Sequence, residues 1–355
     1  MDLNCTVGNY CRAVAFSTIL RYHEYPFSEA MCFGLGAAFD FSFSEMGFGK
    51  SGRKKLYCFS GNNNNDIFYL SDLLCLDLRV LQVATAKEAW ELIDQIINGE
   101  QLPLIARVAV NEYVRYLNNT MLKNADALKE IFKIISTSVG NHVTIISKID
   151  KAKKRITINE PNMMEPTDLP WRVFQKALNP YTSIISPAAN SFYYIRPTIP
   201  FDRIERRLPH ITAFAIKENM ATYLNPKSKQ YGISCVEKVR DLLYIRRYRP
   251  GNKENFLLFR FFCDVVTGGG FYRRLYGRFL KEANTLYLHN DKIAECASGY
   301  GILSRAWSRL ARGLLADTLN RDSDNLSQQI EWLIYAEKEN ALALYEVSKY
   351  LLNVL

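Results

Sequence analysis

Hydrophobic positions near the start of the chain recur at helical spacing. In Tyr10-Cys11-Arg12-Ala13-Val14-Ala15-Phe16-Ser17-Thr18-Ile19-Leu20, the apolar set Val14, Ala15, Phe16, Ile19 and Leu20 predicts a helix over residues 9–23. Pro26 interrupts it, and Ser28 is placed to cap a short second helix ending near Gly34. Residues 55–60 read as a strand, followed by the polar loop Gly61-Asn62-Asn63-Asn64-Asn65-Asp66, with Asp66 able to cap the next helix. Residues 78–83 look extended. Thr85-Ala86-Lys87-Glu88 has capping-box spacing and predicts a helix through Ile97 that Gly99 can end. Strands are expected at 104–110, 142–149, 155–160 and 192–196, and a helix at 124–135. Helices followed by a mostly antiparallel sheet make an α+β layered domain.

Pro197 to Pro200 marks a change of pattern. Beyond it the periodicity is almost wholly helical, with segments near 209–224, 233–247, 253–266, 273–289, 291–317 and 326–353. The expected organisation is two domains, residues 1–200 and 201–355. The last helix carries Trp332, Leu333, Ala336, Leu342, Leu344, Tyr345 and Leu351, a stripe suited to a core or to a homodimer contact. No internal repeat is evident. No Gly-rich phosphate loop follows a strand, which leaves nucleotide binding without a motif.

The 355 residues are 48% hydrophobic, enough for a substantial core, and carry a formal net charge of +9. No run is long and apolar enough to span a membrane, and Met1-Asp2-Leu3-Asn4-Cys5 lacks the basic-then-apolar pattern of a signal peptide. A cytoplasmic protein without a membrane partner is the expectation. The eight cysteines form no CxxC pair, and several, such as Cys75, sit in apolar runs where a small core residue is the simple interpretation. No Cys/His cluster has zinc spacing, so no required metal is expected. Positive charge gathers between Arg203 and Arg249, with pairs at Arg206-Arg207, Arg246-Arg247 and Arg273-Arg274. Such a surface favours acidic partners. Nucleic acid, anionic lipid and an acidic carrier protein are all of that kind; no zinc-finger spacing, Gly-rich RNA-binding motif or long basic tail supports the first.

Against this background Cys11 stands out by position. A thiol at a helix start is acidified by the free amides and the positive end of the helix. His142 opens the strand-like run His142-Val143-Thr144-Ile145-Ile146, and the next such run ends in Asn159-Glu160-Pro161. Cys, His and an acidic or amide orienter, in that order, is an arrangement used for thiol acyl transfer. Three other histidines compete with His142. His23 lies about three turns along the same helix and is too far from Cys11 at about 1.5 Å rise per residue, while His210 and His289 fall in the helical half. Adjacent strand residues point to opposite faces, so only one of Asn159 and Glu160 should face His142. The Cys11 amide supplies one oxyanion donor; Asn4 or Asn9 are candidates for the second.

Several phrases together resemble the butirosin-biosynthesis-H-type proteins joined to their helical C-terminal domain. The N-terminal resemblance runs through Asn9-Tyr10-Cys11, Ser28-Glu29-Ala30-Met31-Cys32-Phe33-Gly34-Leu35-Gly36, Pro103-Leu104-Ile105, Asn141-His142-Val143 and Glu160-Pro161. The C-terminal one lies in Thr267-Gly268-Gly269-Gly270-Phe271-Tyr272-Arg273-Arg274-Leu275-Tyr276 and Phe279-Leu280. The resemblance implies a papain-like core of transferase type, followed by a mostly α-helical domain. It implies Cys11 as nucleophile and His142 as base, and it favours Glu160 over Asn159 as orienter, although Asp is usual at that position. The implied reaction moves an acyl or aminoacyl group from the phosphopantetheine thioester of an acyl-carrier protein to a small amine. A papain-like peptidase or amidohydrolase and a non-catalytic binding protein are the alternatives. Glu29 reads as a first-turn acid favoured by the helix dipole, or as a buried structural or substrate-amine contact behind the active helix. Arg273 and Arg274 are candidates to meet a pantetheine phosphate, or simply an acidic side chain. Thr267-Gly268-Gly269-Gly270 breaks a helix, either exposing amides or allowing close helix approach.

Overall fold

The computed structural model describes residues 3, 5–48, 54–62, 66–109, 112–113, 138–139, 142–161, 163–178, 183–185, 190–245, 253–315 and 323–355. The expected helix at 124–135, the Arg246-Arg247 pair and Asn4 lie outside the described residues. In chain order the first elements are α1 (Cys11–Tyr22), α2 (Glu29–Leu35), β1 (Phe39–Phe48), β2 (Lys54–Asn62), α3 (Asp66–Leu73), β3 (Leu76–Gln82) and α4 (Ala86–Asp94). They are followed by β4 (Leu104–Val108), β5 (Ser138–Val139), β6 (His142–Asp150), β7 (Arg155–Asn159), β8 (Thr167–Pro170), α5 (Trp171–Leu178), β9 (Ser183–Ile185) and β10 (Ser191–Pro197). The rest is helical: α6 (Phe201–Glu205), α7 (Leu208–Leu224), α8 (Gly232–Ile245), α9 (Lys253–Arg260), α10 (Arg273–Ala283), α11 (Asp291–Leu315) and α12 (Ser323–Val354). The fold is α+β, with a sheet-bearing N-terminal region and a helical C-terminal part.

Contacts divide the chain into two units: Met1–Cys32 with Leu74–Phe201, and Phe33–Leu73 with Asp202–Leu355. A single cut near residue 200 does not express this grouping, because Phe33–Leu73 belongs with the later residues.

The first unit holds a six-stranded sheet in the order β3-β10-β4-β6-β7-β8, antiparallel at every pairing. Both faces of its centre are covered. Val143 through Ile146 of β6 are all buried, so this strand reads as an apolar run rather than an alternation. Ile146 and Ile158 join Leu104, Ile93, Phe174 and Phe192 in one core. On α1, every residue from Arg12 to Leu20 is buried, as expected of a helix that is apolar almost all round, and it packs on β6. Helix α4 starts with the expected capping box. Glu88 N–H donates to Thr85 Oγ1 at 3.2 Å, and Thr85 N–H donates to Glu88 Oε2 at 3.1 Å. Ser28 Oγ likewise accepts from Met31 N–H at the start of α2. Cys75 differs from its expected core role: it is exposed, at φ 52° in the turn between α3 and β3.

The second unit pairs the antiparallel hairpin β1–β2 with helices. Its centre is a buried ion pair. Arg273 Nε donates to Glu337 Oε1 at 2.7 Å, and both side chains are fully buried. Trp307 Nε1–H and Tyr223 O–H also donate to Glu337, at 2.7 and 3.0 Å, while Arg273 donates to Phe271 O and Tyr223 Oη. The rings of Phe39, Phe41 and Trp307 lie 4.8, 5.0 and 5.8 Å from the guanidinium carbon. This overturns the expectation of Arg273 as a phosphate contact: its charge and donors are spent inside the core. Arg274, next on α10, points to solvent. The preceding Gly268, Gly269, Gly270, Phe271 and Tyr272 all have positive φ, from 52° to 122°. Here glycine serves close approach, since a Cβ on Gly270 would sit 2.4 Å from Ser304 Cα.

Candidate active site

Tyr10, with extended backbone (φ −115°, ψ 101°), precedes α1, and its carbonyl accepts the first helical bond from Val14 N–H at 3.0 Å. Cys11 is therefore the first helical residue, where the amides of the opening turn have no partner within the helix. Its side chain is partly exposed.

The ladder between β6 and β7 determines which side chains meet it. Ile145 pairs with Asn159, which brings Glu160, one residue further along the chain, opposite Thr144. Opposed residues share a face, and His142 lies two residues from Thr144 on that same face. Glu160 consequently meets His142, with Oε2 2.8 Å from Nε2. Asn159 takes the other face, where its amide donates to Ser147 Oγ at 2.7 Å. Of the two proposed orienters, only Glu160 meets His142. Since Nε2 is engaged by Glu160, Nδ1 is the ring nitrogen left for Cys11, with which His142 also shares a hydrogen bond.

The electrostatics follow from burial and charge. Burial pushes the Cys11 thiol up, but the charge and hydrogen bond of His142, the Arg12 guanidinium and the Val143 amide bring it below its ordinary value. Burial also disfavours a charged His142; the charges of Glu160 and Cys11, with hydrogen bonds to both, nevertheless raise it well above the usual histidine range. Glu160 is opposed by burial in the same way. His142, Tyr113 and Thr144 hold it below the ordinary carboxylate value. All three shifts act toward the thiolate, imidazolium and carboxylate forms. Tyr113, fully buried, donates its hydroxyl to Glu160 Oε1 at 2.5 Å, and burial and the Glu160 charge push it well up, keeping it a donor.

Other candidates fall elsewhere. Asn9 is exposed, and its backbone N–H donates to Glu29 Oε1 at 2.6 Å. His23 is drawn down by burial and bonds the backbone of Ile195. His210 and His289 are exposed. Tyr113, Thr144 and Arg12 are supporting residues that sequence reasoning missed. Thr144 carried a signal, its alternation with His142 along a strand; Arg12 carried adjacency to Cys11; Tyr113 carried none. Among the described residues no group of three or more His, Cys, Asp or Glu side chains is placed to hold a metal ion. No helix among them is long and apolar enough to cross a membrane.

A buried acid, a histidine and a partly exposed thiol at a helix start, carried on an antiparallel sheet, define an α+β protein with a thiol–imidazole–carboxylate site. Residues 10–126 match the family model described as Butirosin biosynthesis protein H, N-terminal, and residues 183–344 match that of Domain of unknown function (DUF4872). The chain is thus similar to butirosin biosynthesis protein H in its N-terminal region and to DUF4872 in its C-terminal region. No curated protein matches it.

Proposed function

We propose that the protein is a biosynthetic enzyme of secondary metabolism that transfers an acyl or aminoacyl group from a thioester to an amine through an acyl-Cys11 intermediate. The observation that carries this is the Cys11–His142–Glu160 row, with Cys11 lowered and His142 raised. The Cys11 thiolate attacks the thioester carbonyl, and the negative oxygen that develops is held by the Cys11 amide. Collapse of this adduct breaks the carbon–sulfur bond to the donor, and the His142 imidazolium gives its proton to the departing thiolate. The neutral imidazole then takes a proton from the incoming amine as nitrogen attacks acyl-Cys11. Collapse releases the amide and restores the thiolate–imidazolium pair. Glu160, held by Tyr113, orients His142 and stabilises its charge in both halves.

The donor is proposed to be carried on a phosphopantetheine thiol, as the resemblance of the sequence to butirosin-biosynthesis-H-type proteins implies. An acyl-carrier protein is the proposed partner, with the basic surface, Arg274 included, steering encounter. In this scheme the unit made of Met1–Cys32 and Leu74–Phe201, proposed to be papain-like, does the chemistry. The test incubates the protein with an acyl thioester, alone and with a panel of small amines, and identifies products by mass. Amide formation that depends on both the amine and Cys11 supports transfer. Release of free acid alone, unaltered by amines, makes the protein a hydrolase, and no turnover of any thioester or amide leaves a binding protein.

A further inference from the structure

The three residues before Cys11 are each tied down, and two of the ties end on one carboxylate. Glu29 Oε1 accepts the backbone N–H of Asn9 at 2.6 Å and of Tyr10 at 2.8 Å. Gly8 N–H donates to the carbonyl of Pro161, the residue after Glu160, at 3.0 Å. A Cβ on Gly8 would lie 2.6 Å from Glu29 Cδ and Oε1 and 2.3 Å from Val14 Cγ2, so the backbone there is pressed against the carboxyl group. Glu29 and Tyr10 are both buried, at 7% and 3% exposure, which leaves little water to replace these bonds.

We propose that Glu29 is a positioning residue for Cys11, resting on the assignment of Cys11 as the nucleophile. Residues ahead of a helix have no helical bonds to hold them, so an external acceptor must. By clamping both amides, Glu29 fixes the Gly8–Asn9 and Asn9–Tyr10 peptides that lead into α1, and hence the direction in which the Cys11 thiol leaves the helix. The contacts that favour the thiolate, the His142 bond and the Val143 amide, act only at short range. A displacement of about 1 Å is enough to cost a reaction roughly a hundredfold. The clamp works by reach and acceptor geometry, not by charge: an anion near Cys11 would by itself disfavour the thiolate. This separates the two properties of the side chain. Gln retains the reach and a carbonyl acceptor but loses the charge. Asp retains the charge but stops short by about 1.5 Å.

The experiment measures the rate of iodoacetamide alkylation at Cys11 against pH. The parent, Glu29→Gln, Glu29→Asp and Glu29→Ala are compared, with modification mapped by peptide mass, Cys11→Ala as background and folding checked by circular dichroism. The expected result is Glu29→Gln within roughly threefold of the parent, and Glu29→Asp and Glu29→Ala slower by about tenfold or more, their acid limbs moved to higher pH. Glu29→Asp matching the parent, Glu29→Gln as slow as Glu29→Ala, or a folded Glu29→Ala with the parental pH profile would each overturn the proposal. Should Glu29→Ala not fold, the Gln and Asp variants alone decide. A parent whose Cys11 reacts no faster than an unstructured cysteine overturns the activated-thiol assignment, and this inference with it.

Discussion

Replacing Arg273 by Met removes one half of the buried pair at the centre of the second unit. Glu337 is then left fully buried with Trp307 Nε1–H and Tyr223 O–H as donors but without its 2.7 Å countercharge. Met fills much of the volume among Phe39, Phe41 and Trp307, so the cost is mostly electrostatic. Breaking a buried pair from one side costs about 3–5 kcal/mol. At about 2–4 °C per kcal/mol for a body of this size, Arg273→Met should melt roughly 6–20 °C below the parent. Adding Glu337→Gln removes the stranded charge while keeping an acceptor for Trp307, and the double variant should recover at least half of the loss. Thermal and urea unfolding of the four members of this cycle gives the coupling directly. A loss below about 1 kcal/mol in Arg273→Met, or a double variant no better than the single, would refute the assignment of Arg273 to the core.

Glu160→Gln keeps the shape but removes the anion that favours the His142 imidazolium; His142 should fall, the Cys11 thiol should rise, and the acid limb of Cys11 alkylation should move to higher pH. An unchanged profile would exclude Glu160 as orienter. Asp40, buried and bonded to the Phe41 and Gly232 amides, is pushed up to about 6, burial outweighing those bonds and the nearby Arg273. Its folded form binds a proton that the unfolded chain has lost, so it costs stability as pH rises from about 4 to 6; Asp40→Asn should gain on the parent across that range in urea titrations at stepped pH. Gly270→Ala meets Ser304 at a φ of 61°, and should lose more than about 1 kcal/mol by chemical denaturation.

Legibility in the sequence followed the locality of the physics. Helices α7, α11 and α12 are long, α1 is apolar almost all round, and the α4 capping box lies within four consecutive residues. Hairpin β1 was missed even though Phe39, Phe41 and Phe43 alternate at strand spacing; β8 and α5 are short, and their burial comes from the sheet. Cys11 and His142 were visible because each opens an apolar element, a local property. The choice between Asn159 and Glu160 depends on a ladder register, which two isolated strands do not disclose. Tyr113 acts across 47 residues of chain, so only the fold reveals it; Glu29 was a candidate buried contact in the sequence, but its bonds to Asn9 and Tyr10, 20 and 19 residues away, depend on the fold. Arg273 looked like surface charge because Glu337, 64 residues later, is invisible as its partner from the sequence.

The most direct test is to trap the acyl group. The protein is mixed with a small acyl thioester and no amine, quenched in acid, and weighed intact before peptide mapping. The account predicts one acyl adduct, confined to the peptide bearing Cys11, absent from Cys11→Ala, formed much more slowly in His142→Ala, and discharged when a competent amine is added to the unquenched enzyme. An adduct on another cysteine, or full acyl transfer by Cys11→Ala, would contradict it.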